Sequence, residues 1–411
     1  MDIVSSQRVS SQRVGSQHSM ATTAKSEIAV SERCESRYSP EFELLLACCA
    51  HRRDSDRLGQ ALGSRIDWEI ALRLAEHHRV LPALHAAMSG RDDLPASIAS
   101  AIRSRAEKNA LKALRFSAEL ARIARAFSER GVEALAHKGP LLAQLLYGDP
   151  AMRQFGDLDF LVRPADVARA KETLRDLGYE LQLHLSPRQE RAYLRSGYEY
   201  VFALGGQRNL LELQWRLLPG FYAVEFDIDA IFERSVEVTV EGFRVRTLGC
   251  EDLMLALCAH AAKHGWAQLG MLRDIATLSD FQLNWGWILK EARRLGIVRI
   301  LTISISLAAG LLGCGIPDAI ASSGEIPSSE KLTHDMERRI SDGQDPDTNS
   351  LRHFRDFART REGWQDRARL AARLALTPSV GEWESLRIPG PLFPLYRLVR
   401  IGRLLKRACS P

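Results

Sequence analysis

The chain has 411 residues, with 56 Lys and Arg against 51 Asp and Glu for a formal net charge of +5, and is 45% hydrophobic and 26% charged. That length can bury a sizeable core and support two or three domains, and the composition excludes a fibrous, collagenous or wholly disordered chain. A pI near 8.8 admits anionic ligands such as nucleotides but gives no independent argument for a nucleic-acid binder.

Residues 1–40 are rich in Ser, Gln and Arg and hold a direct repeat, Ser5-Ser6-Gln7-Arg8-Val9 followed by Ser10-Ser11-Gln12-Arg13-Val14. With almost no large apolar residues this stretch cannot offset its ordering entropy, so it reads as a disordered leader, with Met20 as a second candidate start. Sparse acids make a mitochondrial transit peptide the rival reading; a secretory signal is not expected, because no apolar h-region opens the chain. The seven cysteines are odd in number, scattered and without CxxC spacing, as expected of a reduced cytoplasmic protein.

Residues 41–130 have helical periodicity. Phe42, Leu44, Leu45, Leu46 and Cys49 form one stripe; Asp67 is the expected N-cap of a helix through His78; and a long amphipathic helix runs from Ile98 to Phe127, ended by Gly131. From 131 to 248 the pattern becomes α+β. Strands are expected over Val132–Ala136, Asp157–Val162 and Tyr179–Leu183, and helices over Pro140–Tyr147 and Ala165–Leu177. Two further strands, Tyr198–Leu204 and Leu210–Arg216, flank the turn residues Gly205-Gly206-Gln207-Arg208-Asn209 as a hairpin.

Helices resume over 249–316, at Asp252–His264, Leu269–Phe281, Trp285–Leu295 and Ile297–Leu312. The last of these is too interrupted by polar residues for a membrane span. Residues 317–350, polar and acidic with Pro, Gly and Ser, read as a loop or linker. Residues 351–411 are expected to be helical with a basic tail. In Leu395–Lys406, Arg397, Arg400 and Arg403 lie among Leu and Ile; packing with the cationic stems outward is favoured over a membrane-surface role.

Chemistry concentrates in His137-Lys138-Gly139-Pro140 and in Asp157-Leu158-Asp159-Phe160-Leu161-Val162. Carboxylates at i and i+2 share one face of a strand, and burying two like charges so close together is costly unless a cation sits between them. A Gly-Pro helix start upstream aims free N–H groups at an anion. The pair therefore outlines a divalent-metal site beside a phosphate site, as phosphoryl or nucleotidyl transfer requires. Glu212, in Leu211-Glu212-Leu213-Gln214-Trp215, is the best third acid, as metal ligand or general base, because 211, 213 and 215 face the core and 212 and 214 the opposite side. Glu199, Asp227 and Asp229 compete for that role. Lys138 and Arg153 are the expected phosphate contacts, and Gly139 the point of close backbone approach.

His260 and His264 share a helical face, but Ala261 stands where the zinc-protease pattern needs Glu. Lys263, His264, Trp266 and Asp274 either border the nucleotide cleft or pack between domains; both readings stay open. No P-loop, GxGxxG or GxSxG motif occurs.

Lys138-Gly139, Leu146-Tyr147-Gly148-Asp149-Pro150, Arg153, Asp157-Leu158-Asp159, Leu211-Glu212-Leu213-Gln214-Trp215, His260–Trp266 and Arg273-Asp274 together resemble the bacterial uncharacterised nucleotidyltransferase family, a branch of the polymerase-beta-like nucleotidyltransferase superfamily. The resemblance extends from about residue 42 to the 392–403 region. It implies a nucleotidyltransferase core with a small mixed sheet, flanked by helical regions, and a metal triad of Asp157, Asp159 and Glu212. It implies Mg2+ (two ions, or Mn2+); the nucleotide contacts expected from the residues are Lys138, Gly139 and Arg153, with Lys263 and His264 where their helix borders the cleft. The partners implied are a nucleoside triphosphate and an undefined acceptor. The alternative is a protein that keeps this shape but only binds nucleotide or a partner. Two departures stand out: the superfamily's Gly-Ser turn is Lys138-Gly139 here, and Gln214 stands where the family tends to have His.

Overall fold

The computed structural model describes residues 37–52, 54–348, 350–385, 393 and 395–409, except the side chains of 207–210, 384–385 and 404–409. The leader at 1–36 lies outside the described residues. Five helices come first. Ser39 accepts from the Phe42 N–H to start α1 (Pro40–Cys49), whose Phe42, Leu44, Leu45 and Leu46 are completely buried. Asp54 caps α2 (Ser55–Leu62), and Asp67 caps α3 (Trp68–His77) by accepting from Glu69 N and Ile70 N, as its position in the sequence suggested. Then follow α4 (Leu81–Met88) and the 34-residue α5 (Ala96–Glu129), which enters after Pro95 and is released at Gly131, where φ is +64°.

The central sheet is built from β1 (Ala134–Ala136), β2 (Leu158–Val162), β3 (Glu180–Leu181), β4 (Glu199–Leu204) and β5 (Gln207–Gln214) in the order β1-β2-β5-β4-β3. Only β2 and β5 run parallel; the remaining pairs are antiparallel. Between β1 and β2 lies α6 (Gly139–Tyr147); α7 (Val167–Asp176) and α8 (Pro187–Ser196) flank β3. The β4–β5 hairpin turns on Gly205 and Gly206, both at positive φ, so β5 starts at Gln207, ahead of the expected Leu210. After α9 (Ile228–Glu233), β6 (Val236–Val240) and β7 (Phe243–Thr247) form a separate two-stranded ribbon.

Strand alternation divides the apolar residues between two cores. Leu158, Phe160, Val162, Leu211, Leu213 and Trp215 pack into one with α5 and α7. Leu135 and Leu161 point the other way, into a larger core shared by α1–α4 and the C-terminal helices α10 (Cys250–Lys263), α11 (Leu269–Leu278), α12 (Trp285–Leu295) and α13 (Val298–Leu312). N- and C-terminal helices thus close over the same face of the sheet, and Gly270 N donates to His78 O across them at 2.9 Å.

Two stretches differ from their sequence reading. Residues 317–350, expected as a loop or linker, carry α14 (Asp318–Ala321) and the 17-residue α15 (Glu325–Ser341). The polar residues there form its outer face, while Leu332, Met336 and Ile340, four apart, reach the core. Further on come α16 (Leu351–Arg359), α17 (Trp364–Leu376), α18 (Val380–Ser385) and α19 (Leu395–Cys409). In α19 one cation turns inward rather than outward: Arg400 is buried, donates to Leu374 O and lies 3.7 Å from Glu382. Among the described residues no helix is long and apolar enough to cross a membrane. Because Ile340 is completely buried, Ile340→Ala should cost about 2–5 kcal/mol in denaturant unfolding. A linker would leave the unfolding midpoint unmoved.

Candidate active site

Asp159 is the one charged residue inside β2, on the face opposite Leu158 and Phe160, and is only 1% exposed. The parallel pairing of β2 with β5 sets it directly beside Glu212. Gln214, two residues along, points the same way and donates its Nε2 to both, at 3.1 Å to Asp159 Oδ1 and 2.9 Å to Glu212 Oε2. Glu199 of β4 stands opposite Gln214 in register, adding a fourth acid, and Asp157 sits just before β2.

Lys138, the N-cap residue just before α6, places its Nζ 2.8 Å from Asp159 Oδ1. Gly139 follows at φ +61°, and a Cβ there would stand 3.2 Å from the Asp157 carbonyl oxygen. Glycine is therefore required for two reasons, the left-handed backbone and the close approach of α6 to the entry of β2. The close approach seen is to protein backbone.

The charges are strongly interdependent. Burial, reinforced by Glu199 and Asp159, pushes the Glu212 carboxyl up to about 9. Asp159 goes the other way: burial opposes its ionisation, but the Lys138 ammonium and its hydrogen bond hold it down at about 2. Burial and Asp159 raise Asp157, and burial raises Glu199 against the pull of Lys263. At neutral pH the cluster thus has an ionised Asp159 paired with Lys138, and a protonated Glu212 within hydrogen-bonding reach of Asp159 and Glu199.

Lys263, at the end of α10, lies over the Tyr198 ring at 5.4 Å; burial lowers its ammonium, only partly offset by Glu199 and Glu212. His264 lies against His260 with the ring centroids 4.6 Å apart and the planes tilted by 56°. Burial, then Lys263 and Lys138, depress His264 to about 3, and burial drives His260 well down also, so both rings are neutral. Beside Lys263 a cavity of about 260 Å³ is lined by Tyr198, Phe221, Tyr222 and Ser379.

Arg153 does not project freely toward a phosphate. Its Nε donates to Asp274 Oδ2 at 2.8 Å, while Tyr147 OH donates to Asp274 Oδ1 at 2.8 Å. Arg153 thereby ties the loop before β2 to α11. Asn109 of α5 holds the same loop from the other side by donating to Ala151 O and Arg153 O, and Gln154 Oε1 accepts from Leu81 N. Of the competing acids, Asp227 caps α9 and Asp229 pairs with Arg163, which leaves Glu199 as the one built into the cluster.

The donor set is all oxygen, as a hard divalent cation requires. Asp159 Oδ2 and Glu199 Oε2 are buried without a hydrogen-bond partner, which is how lone pairs reserved for a cation would stand. Yet among the described residues no three acidic, His or Cys side chains are already arranged as a ligand set. Lys138 and Gln214 hold the carboxylates in their present positions, so a metal would have to take over from the ammonium. Sequence reasoning singled out Asp157, Asp159, Glu212, Lys138 and Gly139, all of which meet here. It underrated Glu199 and Gln214, although the alternation of β5 put Gln214 on the acid face.

Glu212 gives a pH signature. A carboxyl raised from its ordinary 4.5 to about 9 contributes stability that is complete below 4.5 and is lost as pH rises through about 9. The melting temperature of the metal-free protein should fall across that window, and Glu212→Gln should flatten the fall; a wild-type slope in the mutant would exclude Glu212 as its source.

Residues 64–313, well over half of the chain, match a protein family described as an uncharacterised nucleotidyltransferase. No curated protein and no solved structure matches.

Proposed function

The chain belongs to the uncharacterised nucleotidyltransferase family, and from that premise we propose that it is a metal-dependent enzyme transferring a nucleoside monophosphate from a nucleoside triphosphate to an acceptor hydroxyl or phosphate. The observation that carries this reading is the Asp159–Glu212 register with Gln214 bridging the two carboxylates. A binding-only protein has no use for four acids converging in one cleft at such a desolvation cost.

In this reading Asp157, Asp159 and Glu212 hold one or two Mg2+ ions, with Glu199 in reserve. Bound there, magnesium supplies Lewis-acid stabilisation of the charge developing on the α-phosphate oxygens. The protein's own groups do the rest. Gln214 keeps Asp159 and Glu212 aligned. Lys138, released from Asp159, turns its ammonium to a phosphate oxygen, while Arg153 stays on Asp274 and holds the loop before β2 in place. As the acceptor oxygen bonds to the α-phosphorus, the bond to pyrophosphate breaks, and the acceptor's proton passes to an ionised carboxylate of the cluster; Glu212 can accept it only after the cation has displaced the proton that Glu212 holds in the metal-free protein. The aromatic cavity beside Lys263 suits an acceptor with a flat or apolar ring. Among the described residues burial pushes the Cys49 and Cys258 thiols up to about 11 and 12, which makes them poor nucleophiles and suits a reducing cytoplasmic setting.

The Lys138–Asp159 ion pair at the place a metal would bind favours one rival, a non-catalytic nucleotide binder. Turnover separates them. Incubated with magnesium and labelled triphosphates, the wild type should release pyrophosphate, and Asp159→Asn should lower that rate by about 10²–10³-fold with an unchanged circular dichroism spectrum. Triphosphate binding without any pyrophosphate release would leave the binder; an Asp159→Asn protein as active as wild type would move the chemistry away from these acids.

A further inference from the structure

A triphosphate brings several negative charges to a site whose two expected phosphate contacts already have carboxylate partners: Lys138 on Asp159, Arg153 on Asp274. Charge compensation has to come from elsewhere, and one neighbouring surface is built for it. On the Asp157 side of the cleft a groove of about 440 Å³, within the range of ligand pockets, is lined by Arg79, Arg105, Lys108 and Lys112 together with Gly156. Its single acid, Glu76, is paired with Arg105. Arg79, Lys108 and Lys112 are exposed, and among the described residues none has a carboxylate at ion-pair distance.

The groove is also rigid and aimed. Lys108 and Lys112 are four apart on α5, so they stand one above the other on one face. Asn109, between them, is bonded to the loop that leads into β2, and Phe155 of that loop packs edge-on against Phe116 with ring centroids 5.6 Å apart. Arg79 sits at φ +56°, a strained conformation for a residue with a side chain, held there because Val80 N bonds Ala75 O and Gly270 N bonds the preceding His78 O. In that pose Arg79 lines the groove together with Gly156, the residue before Asp157, so the groove adjoins the acid cluster.

We propose that this groove is the seat of the polyphosphate: Arg79, Lys108 and Lys112, all from the N-terminal helical region, bind the β- and γ-phosphates of the nucleoside triphosphate while its α-phosphate lies over the acids. The proposal rests on the transferase reading for the identity of the ligand, but its geometry and its test are independent of turnover.

The test uses the full chain and two probes with magnesium, inorganic tripolyphosphate and a nucleoside monophosphate, measured by calorimetry. Wild type should bind tripolyphosphate. Lys108→Ala with Lys112→Ala, and separately Arg79→Gly, which removes the cation and relieves the backbone, should each weaken it roughly tenfold or more while leaving monophosphate affinity within about twofold. The double variant should also show a shallower salt dependence. If wild type binds no tripolyphosphate, or the variants bind it as wild type does, the groove is not the polyphosphate seat, whether or not the enzyme turns over. Variants that lose affinity for a single-stranded RNA but keep it for tripolyphosphate would equally overturn the proposal, assigning the groove to an acceptor instead. Intact tripolyphosphate binding with its loss in the variants, but no pyrophosphate release by wild type, would uphold the groove and sink the transferase reading alone.

Discussion

The site depends on a single pairing, the parallel contact of β2 with β5. Every other neighbour in the sheet is antiparallel, and this one contact sets Asp159 beside Glu212 although 53 residues separate them in the chain. A slip of one residue in that register would send one of the two carboxylates to the other face, into an apolar core. Register is fixed by what lies beneath: Leu158 and Phe160 of β2 and Leu211 and Leu213 of β5 are completely buried in the same core. Hydrophobic packing on one face thus positions charge on the other.

The charge so assembled is expensive, and the structure answers it in several ways at once. Lys138 neutralises Asp159, Glu212 takes up a proton, Gln214 donates to both, and Lys263 draws on Glu199. The arrangement resembles a latch held by its own lysine. It satisfies the acids without a metal yet leaves Asp159 Oδ2 and Glu199 Oε2 unpartnered. Around it the loop before β2 is clamped to both helical regions, to α5 through Asn109 and to α11 through Arg153 and Asp274. Arg273 adds a bond to Met152 O and lies over the Tyr147 ring. The helical regions are therefore structural walls of the cleft. The family match, which begins at residue 64 and ends just past α13, takes in both walls and omits α14–α19.

Where sequence reasoning fell short, the local signals were weaker, were outweighed or were passed over. The helix α8 was passed over even though Ser186 and Gln189 form a capping box, because its body is too polar to display an apolar stripe. The β6–β7 ribbon turns on Glu241 and Gly242 between the alternating Val236, Val238, Val240 and Phe243, Val245, a hairpin pattern that was legible in the sequence and was passed over. In 317–350 the Pro, Gly and Ser residues suggested a linker, but three apolar residues spaced along α15 suffice once a partner core exists. Arg153 had the right type for a phosphate ligand, and only its distant partner Asp274 revealed its tether.

What the sequence determined by itself follows from short-range physics. Alternation placed Asp159, Glu212 and Gln214 on the polar face of their strands, with Asp157 just before β2, glycine and proline marked the start of α6, and Asp67 marked a helix start. Each of these depends on neighbours a few residues away. Which acids meet, which cations are already engaged, and which face of α5 borders the cleft were decided only by tertiary structure. Those contacts join residues well apart in the chain, 21 positions for Lys138–Asp159, 29 for Glu76–Arg105 and 121 for Arg153–Asp274, and their electrostatics depend on burial that no local pattern encodes.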